Sequence, residues 1–157
     1  LEQADSPVKE LHALQKAEAN SAFARFIRNI YPQWMIREEG RPLMSPALFE
    51  EKVFPVIARG EKLFFILIDN FRLDQWQAVK SLFTDLFICD EELYFSILPT
   101  ATPYARNSIF SGLMPRQVAS LFPGLWIDDR EEEGKNLQEE LLLRAQKICF
   151  RFCLTGR

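Results

Sequence analysis

Apolar residues recur at helical spacing through the opening part of the chain, and the rhythm then changes abruptly. Val8, Leu11 and Leu14, then Ala22, Phe23, Phe26, Ile27 and Ile30, fall mostly three and four residues apart, the mark of one helix face. Ser6-Pro7 supplies an N-cap and first-turn pair ahead of them, and Pro32 predicts the end of that helix. A turn-rich stretch, Glu39-Gly40-Arg41-Pro42, leads to a second helix start at Ser45-Pro46. Leu48, Val53 and Ile57 then make an apolar stripe, with Pro55 as an interior interruption and Gly60 as the stop. Residues 1–60 therefore read as a helical linker or bundle region.

From Glu61 the pattern is that of a different architecture. Residues 63–68, Leu-Phe-Phe-Ile-Leu-Ile, are apolar at every position, as expected of a strand covered on both faces in a parallel sheet. Leu73, Trp76, Val79, Leu82, Phe83, Leu86 and Phe87 next mark a helix of about four turns, and residues 93–98 read as a second strand. Strand, helix and strand make a β-α-β unit with a right-handed crossover, which extrapolates to an α/β fold with a doubly wound, mainly parallel sheet over 61–157. Beyond Gly112 come Pro115, Pro123 and Gly124, an acidic run at 128–133, and a last helix from about residue 136 to residue 147.

Composition narrows the function classes. Apolar residues make up 48% and charged residues 26% of the 157, so the chain is globular material rather than a disordered or fibrous one. A net charge of -3 and a pI near 5.3, with no basic stripe, argue against nonspecific nucleic-acid binding, which requires clustered Lys and Arg. The longest apolar run is too short to span a bilayer and no charged-then-apolar leader is visible, so a cytoplasmic protein is expected. Cys89, Cys149 and Cys153 are odd in number and form no C-x-x-C pair, which disfavours a disulfide framework or a zinc knuckle.

Chemistry concentrates at two places. Ligands of open α/β sheets sit outside the carboxyl ends of the strands, and Asp69 directly follows the first predicted strand. There it could bind a cation through oxygen, or act as an N-cap or Asx turn for the next helix. The second place is Pro99-Thr100-Ala101-Thr102-Pro103. Proline favours the first helical position, so Thr102 is expected at the N-cap, where backbone N–H groups and the helix dipole favour an anion. Thr102 is thus a candidate nucleophile or metal-contacting hydroxyl, with Thr100 the alternative. Arg106 lies one turn on, placed to meet a phosphate or to form an ordinary ion pair, and Arg72 with Asp74 suggests a salt bridge fixing the loop that carries Asp69. His12, the one histidine, is far from these residues in sequence and reads as a helix residue rather than a ligand. The carboxylates at 128–133 could supply oxygens, although such runs are usually solvated.

These residues resemble a known family. The apolar strand ending in Asp69-Asn70-Phe71-Arg72-Leu73-Asp74, the Pro99-Thr-Ala-Thr102-Pro segment and Phe110-Ser-Gly112-Leu-Met-Pro115 are similar to the PglZ domain of the alkaline phosphatase superfamily, in the form found in PorX-like response regulators. That resemblance implies a helical linker followed by the start of a PglZ domain, in proteins that also carry a receiver domain answering a sensor kinase and that are associated with type IX secretion. It implies zinc, usually two ions, and hydrolysis of phosphate esters or diesters. Carried onto this sequence, Asp69 matches a metal-binding aspartate and Thr102 the nucleophile that also contacts metal. The remaining ligands of the superfamily are expected beyond Arg157, so the chain reads as a fragment whose site is incomplete. Two functions stay open: part of a metal-dependent phosphohydrolase using Thr102, Asp69 and Arg106, or a regulatory module that dimerises or meets partners through helical surfaces.

Overall fold

The computed structural model describes residues 6–37, 39–126 and 138–146. The acidic run at 128–133 and the cysteines Cys149 and Cys153 lie outside the described residues. The chain divides into two compact units, Leu1–Pro42 and Leu43–Arg157.

The first unit is dominated by one helix, α1 (Ser6–Ile36), of 31 residues. Contrary to the expected stop, Pro32 lies inside it. Only one turn follows, so the missing N–H removes a single hydrogen bond near an end that frays in any case, and Arg37 N–H still reaches the Gln33 carbonyl at 2.9 Å. Aromatic rings bridge the proline turn: Trp34 packs edge-on against Phe26 at 5.7 Å and Tyr31 at 6.3 Å between centroids. Such local pairs add about 0.5–1.5 kcal/mol each beyond their buried area.

The second unit begins with a 3-10 turn (Ser45–Ala47), a π-helical turn (Phe49–Val53) and α2 (Phe54–Ala58). Pro55 explains this broken path. It cannot donate to a continuing α-helical ladder, so the chain widens into a π turn and restarts with proline in the first turn of α2. Gly60 closes the segment as the sequence suggests, at φ 78°. Then follow α3 (Leu73–Thr84), α4 (Thr102–Ser111), α5 (Pro115–Leu121) and helical residues 139–146, here α6.

The expected doubly wound α/β sheet is overturned: the molecule is helical and, among the described residues, has no sheet. Residues 63–68 and 93–98 are non-helical but do not pair with one another; one parallel bridge, Met44 with Phe95, is what the second segment makes. The physical reason lies in what an apolar run reports. It signals a chain suited to burial, whereas a strand also needs a neighbouring backbone to satisfy its N–H and C=O groups. The two-residue alternation of side chains expected of a strand is nevertheless retained in the exposure of residues 63–68. Phe65 and Leu67 turn to the core, while Phe64 is 93% and Ile66 78% exposed.

The core is built around Phe49, whose ring lies 4.7 Å from Phe65, 5.7 Å from Phe110 and 5.8 Å from Phe54. Val53 and Ile109 are buried with it, and Leu48, Leu67 and Leu143 pack against the cluster. Residues 93–98 are held elsewhere: Phe95 N–H donates to the Leu43 carbonyl at 2.7 Å, and the buried Ser45 hydroxyl accepts from Ile97 N–H at 3.2 Å. Ser45 thus serves a tertiary contact. Glu91 ties the same stretch to α3, accepting a hydrogen bond from Trp76 and pairing with Lys80 at 3.1 Å.

Candidate functional site

Three segments meet around an open cleft of about 280 Å³. The turn after residues 63–68 contributes Asp69, Asn70 and Arg72; the 93–100 segment contributes Tyr94, Ser96 and Thr100; and α4 contributes Thr102 and Arg106. Leu67, Ala105 and Ile109 supply its apolar wall. Asp69, Thr100, Thr102 and Arg106 are thereby brought together across a sequence gap of more than thirty residues.

The Asp69 turn is set by its own residues. Asn70 takes a left-handed conformation, φ 54°, which asparagine tolerates better than most residues. The N-cap of α3 is Arg72, not Asp69, so capping that helix is not what occupies the Asp69 carboxylate. Gln75 accepts from Arg72 N–H at 2.9 Å, and the Arg72 guanidinium grips both oxygens of Asp74 at 2.9 Å, the local pair the sequence suggested. That contact holds the Asp74 carboxyl below its ordinary range and the Arg72 guanidinium above its own.

At α4 the N-cap is Ala101, one residue before the expected Thr102, and Thr102 is the first helical residue. The anion site drawn from the sequence is narrower as a result. Pro103 has no N–H, and the N–H groups of Tyr104 and Ala105 both donate to the Ala101 carbonyl, at 3.0 and 2.9 Å. The positive charge that α4 brings to the cleft is instead that of Arg106. Its Nη1 lies 3.6 Å from Asp69 Oδ2, while its Nε lies 2.8 Å from Glu139 Oε1 on α6. Burial pushes the Tyr94 phenol up, which keeps it neutral and able to donate.

No three His, Cys, Asp or Glu side chains come together to hold a metal ion among the described residues. Asp69 and Thr102 offer two ligand side chains, and Arg106 already stands beside Asp69. This donor set does not fit a complete zinc site, which needs at least three protein ligands. His12 belongs to the other unit. No described helix is long and apolar enough to cross a membrane.

Residues 48–150 match the PglZ alkaline phosphatase-like domain of the BREX system. The chain belongs to the PglZ alkaline phosphatase-like family. Ahead of the PglZ segment, residues 1–35 match the PorX response regulator linker domain, so α1 corresponds to that linker and the cleft lies wholly within the PglZ portion. No curated protein matches the chain.

Glu139 was missed by sequence reasoning, although a signal existed. It stands three residues before Leu142, which is fully buried, and four before Leu143, which packs on the core, so it lies on the inward side of α6. Its neighbour Glu140 faces out and pairs with Arg144 one turn on at 2.6 Å.

Proposed function

We propose that the cleft is the phosphate-ester site of a PglZ-type hydrolase, with Thr102 as nucleophile, Arg106 as the phosphate contact and Asp69 as a metal-binding carboxylate. The convergence of these three residues on one cleft supports the reading more than any other observation. A threonine at the start of a helix beside a partly buried guanidinium suits attack on phosphorus, because the charge that develops on the phosphoryl oxygens meets a cation already in place. The Thr102 hydroxyl loses its proton to solvent and its oxygen bonds to phosphorus as the ester oxygen departs and is protonated as the alcohol; water then attacks phosphorus, freeing the threonine and releasing phosphate from a monoester or a phosphomonoester from a diester. Thr100, on the same rim, is the alternative nucleophile.

Family resemblance implies two zinc ions, for which Asp69 and Thr102 alone are too few ligands among the described residues. The linker match favours a setting in a response regulator, with a receiver domain and sensor kinase upstream in the signalling order. Hydrolysis of a chromogenic phosphodiester by the full-length protein tests the assignment. Thr102→Ala should lower turnover by several orders of magnitude with the melting transition retained. Undiminished turnover removes Thr102 from the mechanism, and loss with Thr100→Ala alone moves the nucleophile two residues back.

A further inference from the structure

Arg106 is held from two sides. Its side chain is 26% exposed and that of Glu139 is 18% exposed, against 66% for Asp69. The Nε of Arg106 and Oε1 of Glu139 are shut off from solvent and have no aligned hydrogen-bond partner, so their 2.8 Å contact is a charge pair in which each atom depends on the other. The Asp69 contact is longer and faces water. A guanidinium edge shut off from water is left uncompensated when it loses its carboxylate, whereas an edge that loses an exposed partner is rehydrated.

α6 also meets α4 and its C-cap at two points. Glu139 meets Arg106 at one end, and the Gln146 side chain fills the space beside Gly112 at the other, within 2.3 Å of where a Cβ would stand. Leu142 and Leu143 anchor the stretch between. Glu139 is therefore fixed by packing on its own helix, and the guanidinium it holds has one end committed to α6 and the other turned toward the cleft.

We propose that Glu139 is the positioning residue for Arg106: it binds the buried Nε edge and leaves Nη1 free to exchange Asp69 for a phosphoryl oxygen. The proposal rests on the reading of the cleft as a phosphate site. In this arrangement a phosphate entering the cleft displaces an exposed carboxylate from Arg106, while the Glu139 carboxylate, with its Oε1 shut off from solvent, keeps the guanidinium from swinging out with it.

The test is hydrogen exchange at the Arg106 Nε–H, followed by nitrogen-15 NMR in the whole chain and assigned with Arg106→Lys, together with titration by inorganic phosphate. Glu139→Gln keeps the size of the side chain and removes its charge; it should speed Nε–H exchange and weaken phosphate binding, each about tenfold or more. Glu139→Asp, which keeps the charge but draws it back by one methylene, should fall between. Asp69→Asn should leave Nε–H exchange unchanged. Equal exchange in the wild type, Glu139→Gln and Glu139→Asp would overturn the proposal, and circular dichroism melting separates lost positioning from lost folding. Should the wild-type chain take up no phosphate, the phosphate reading falls, while the exchange rates still decide whether Glu139 holds Arg106.

Discussion

Gly60 and Gly112 have the same left-handed backbone in different surroundings, which separates two costs usually confounded. At φ 78° and 69° both resist an L side chain, but Gly60 opens to solvent and Gly112 abuts Gln146. Gly60→Ala should cost about 1 kcal/mol, the conformational term alone. Gly112→Ala should cost more, on the order of 2 kcal/mol, since Gln146 must also move. Adding Gln146→Ala should return Gly112→Ala toward the Gly60 value, as measured by urea unfolding; if it does not, the clash is not the source of the difference. Asp74 gives a residue-level pH dependence. Its carboxyl is depressed by the Arg72 hydrogen bonds, so the pair's contribution is present above the ordinary carboxylate range and disappears as pH falls through the lowered value. Carboxyl carbon NMR should show Asp74 titrating below the typical aspartate, and returning to it in Arg72→Ala.

At the scale of elements, small numbers of contacts hold the non-helical segments that would otherwise be adrift. Glu91 joins residues 88–98 to α3 through Trp76 and Lys80, and its carboxyl is lowered chiefly by the Trp76 hydrogen bond. Trp76→Phe keeps the ring against Phe83, 5.4 Å away, while removing the N–H donor, so Glu91 should titrate closer to an ordinary glutamate with α3 intact. Docking of α6 depends on Leu142, which is fully buried. Leu142→Ala should destabilise the second unit by about 2–5 kcal/mol, the range for emptying a leucine site in a core. The same change should speed exchange at the Arg106 Nε–H, because the helix that carries Glu139 is loosened.

Across the whole molecule, apolar surface is left outside on several elements. Phe64, Ile66 and Ile68 on one non-helical segment, with Ile88 and Leu93 on the other, are more than half exposed. Phe64, Ile66 and Ile68 stand two residues apart along one segment, and exposed apolar side chains grouped in this way favour association. Phe64→Glu with Ile66→Lys should reduce self-association in sedimentation velocity without lowering the melting temperature. Phe65→Ala, one residue away, should lower that temperature, because its ring packs on Phe49 and Phe110. Equal effects from both would deny the alternation of facing along residues 63–68.

Local signals and long-range contacts divide what was legible from what was not. α1 over most of its length, the start of α3, the Gly60 stop and the Arg72–Asp74 pair depend on neighbours within about four residues, and the spacing of residues reveals such contacts. The PglZ segment was likewise readable from motifs that stand contiguous in the chain, and the linker from the helical stretch ahead of them. The sheet was inferred from the same kind of local pattern and was wrong, because an apolar run records a preference for burial and not the partner that would supply a ladder. The cleft falls between. Asp69, Thr102 and Arg106 each stood out by residue type and position, but their meeting depends on how α4 packs against the 93–100 segment and the Asp69 turn. The Arg106–Glu139 contact lay further out of reach: it links residues 33 positions apart through the packing of α6 on α4, and only the tertiary structure selects that partner from the many acidic residues of the chain.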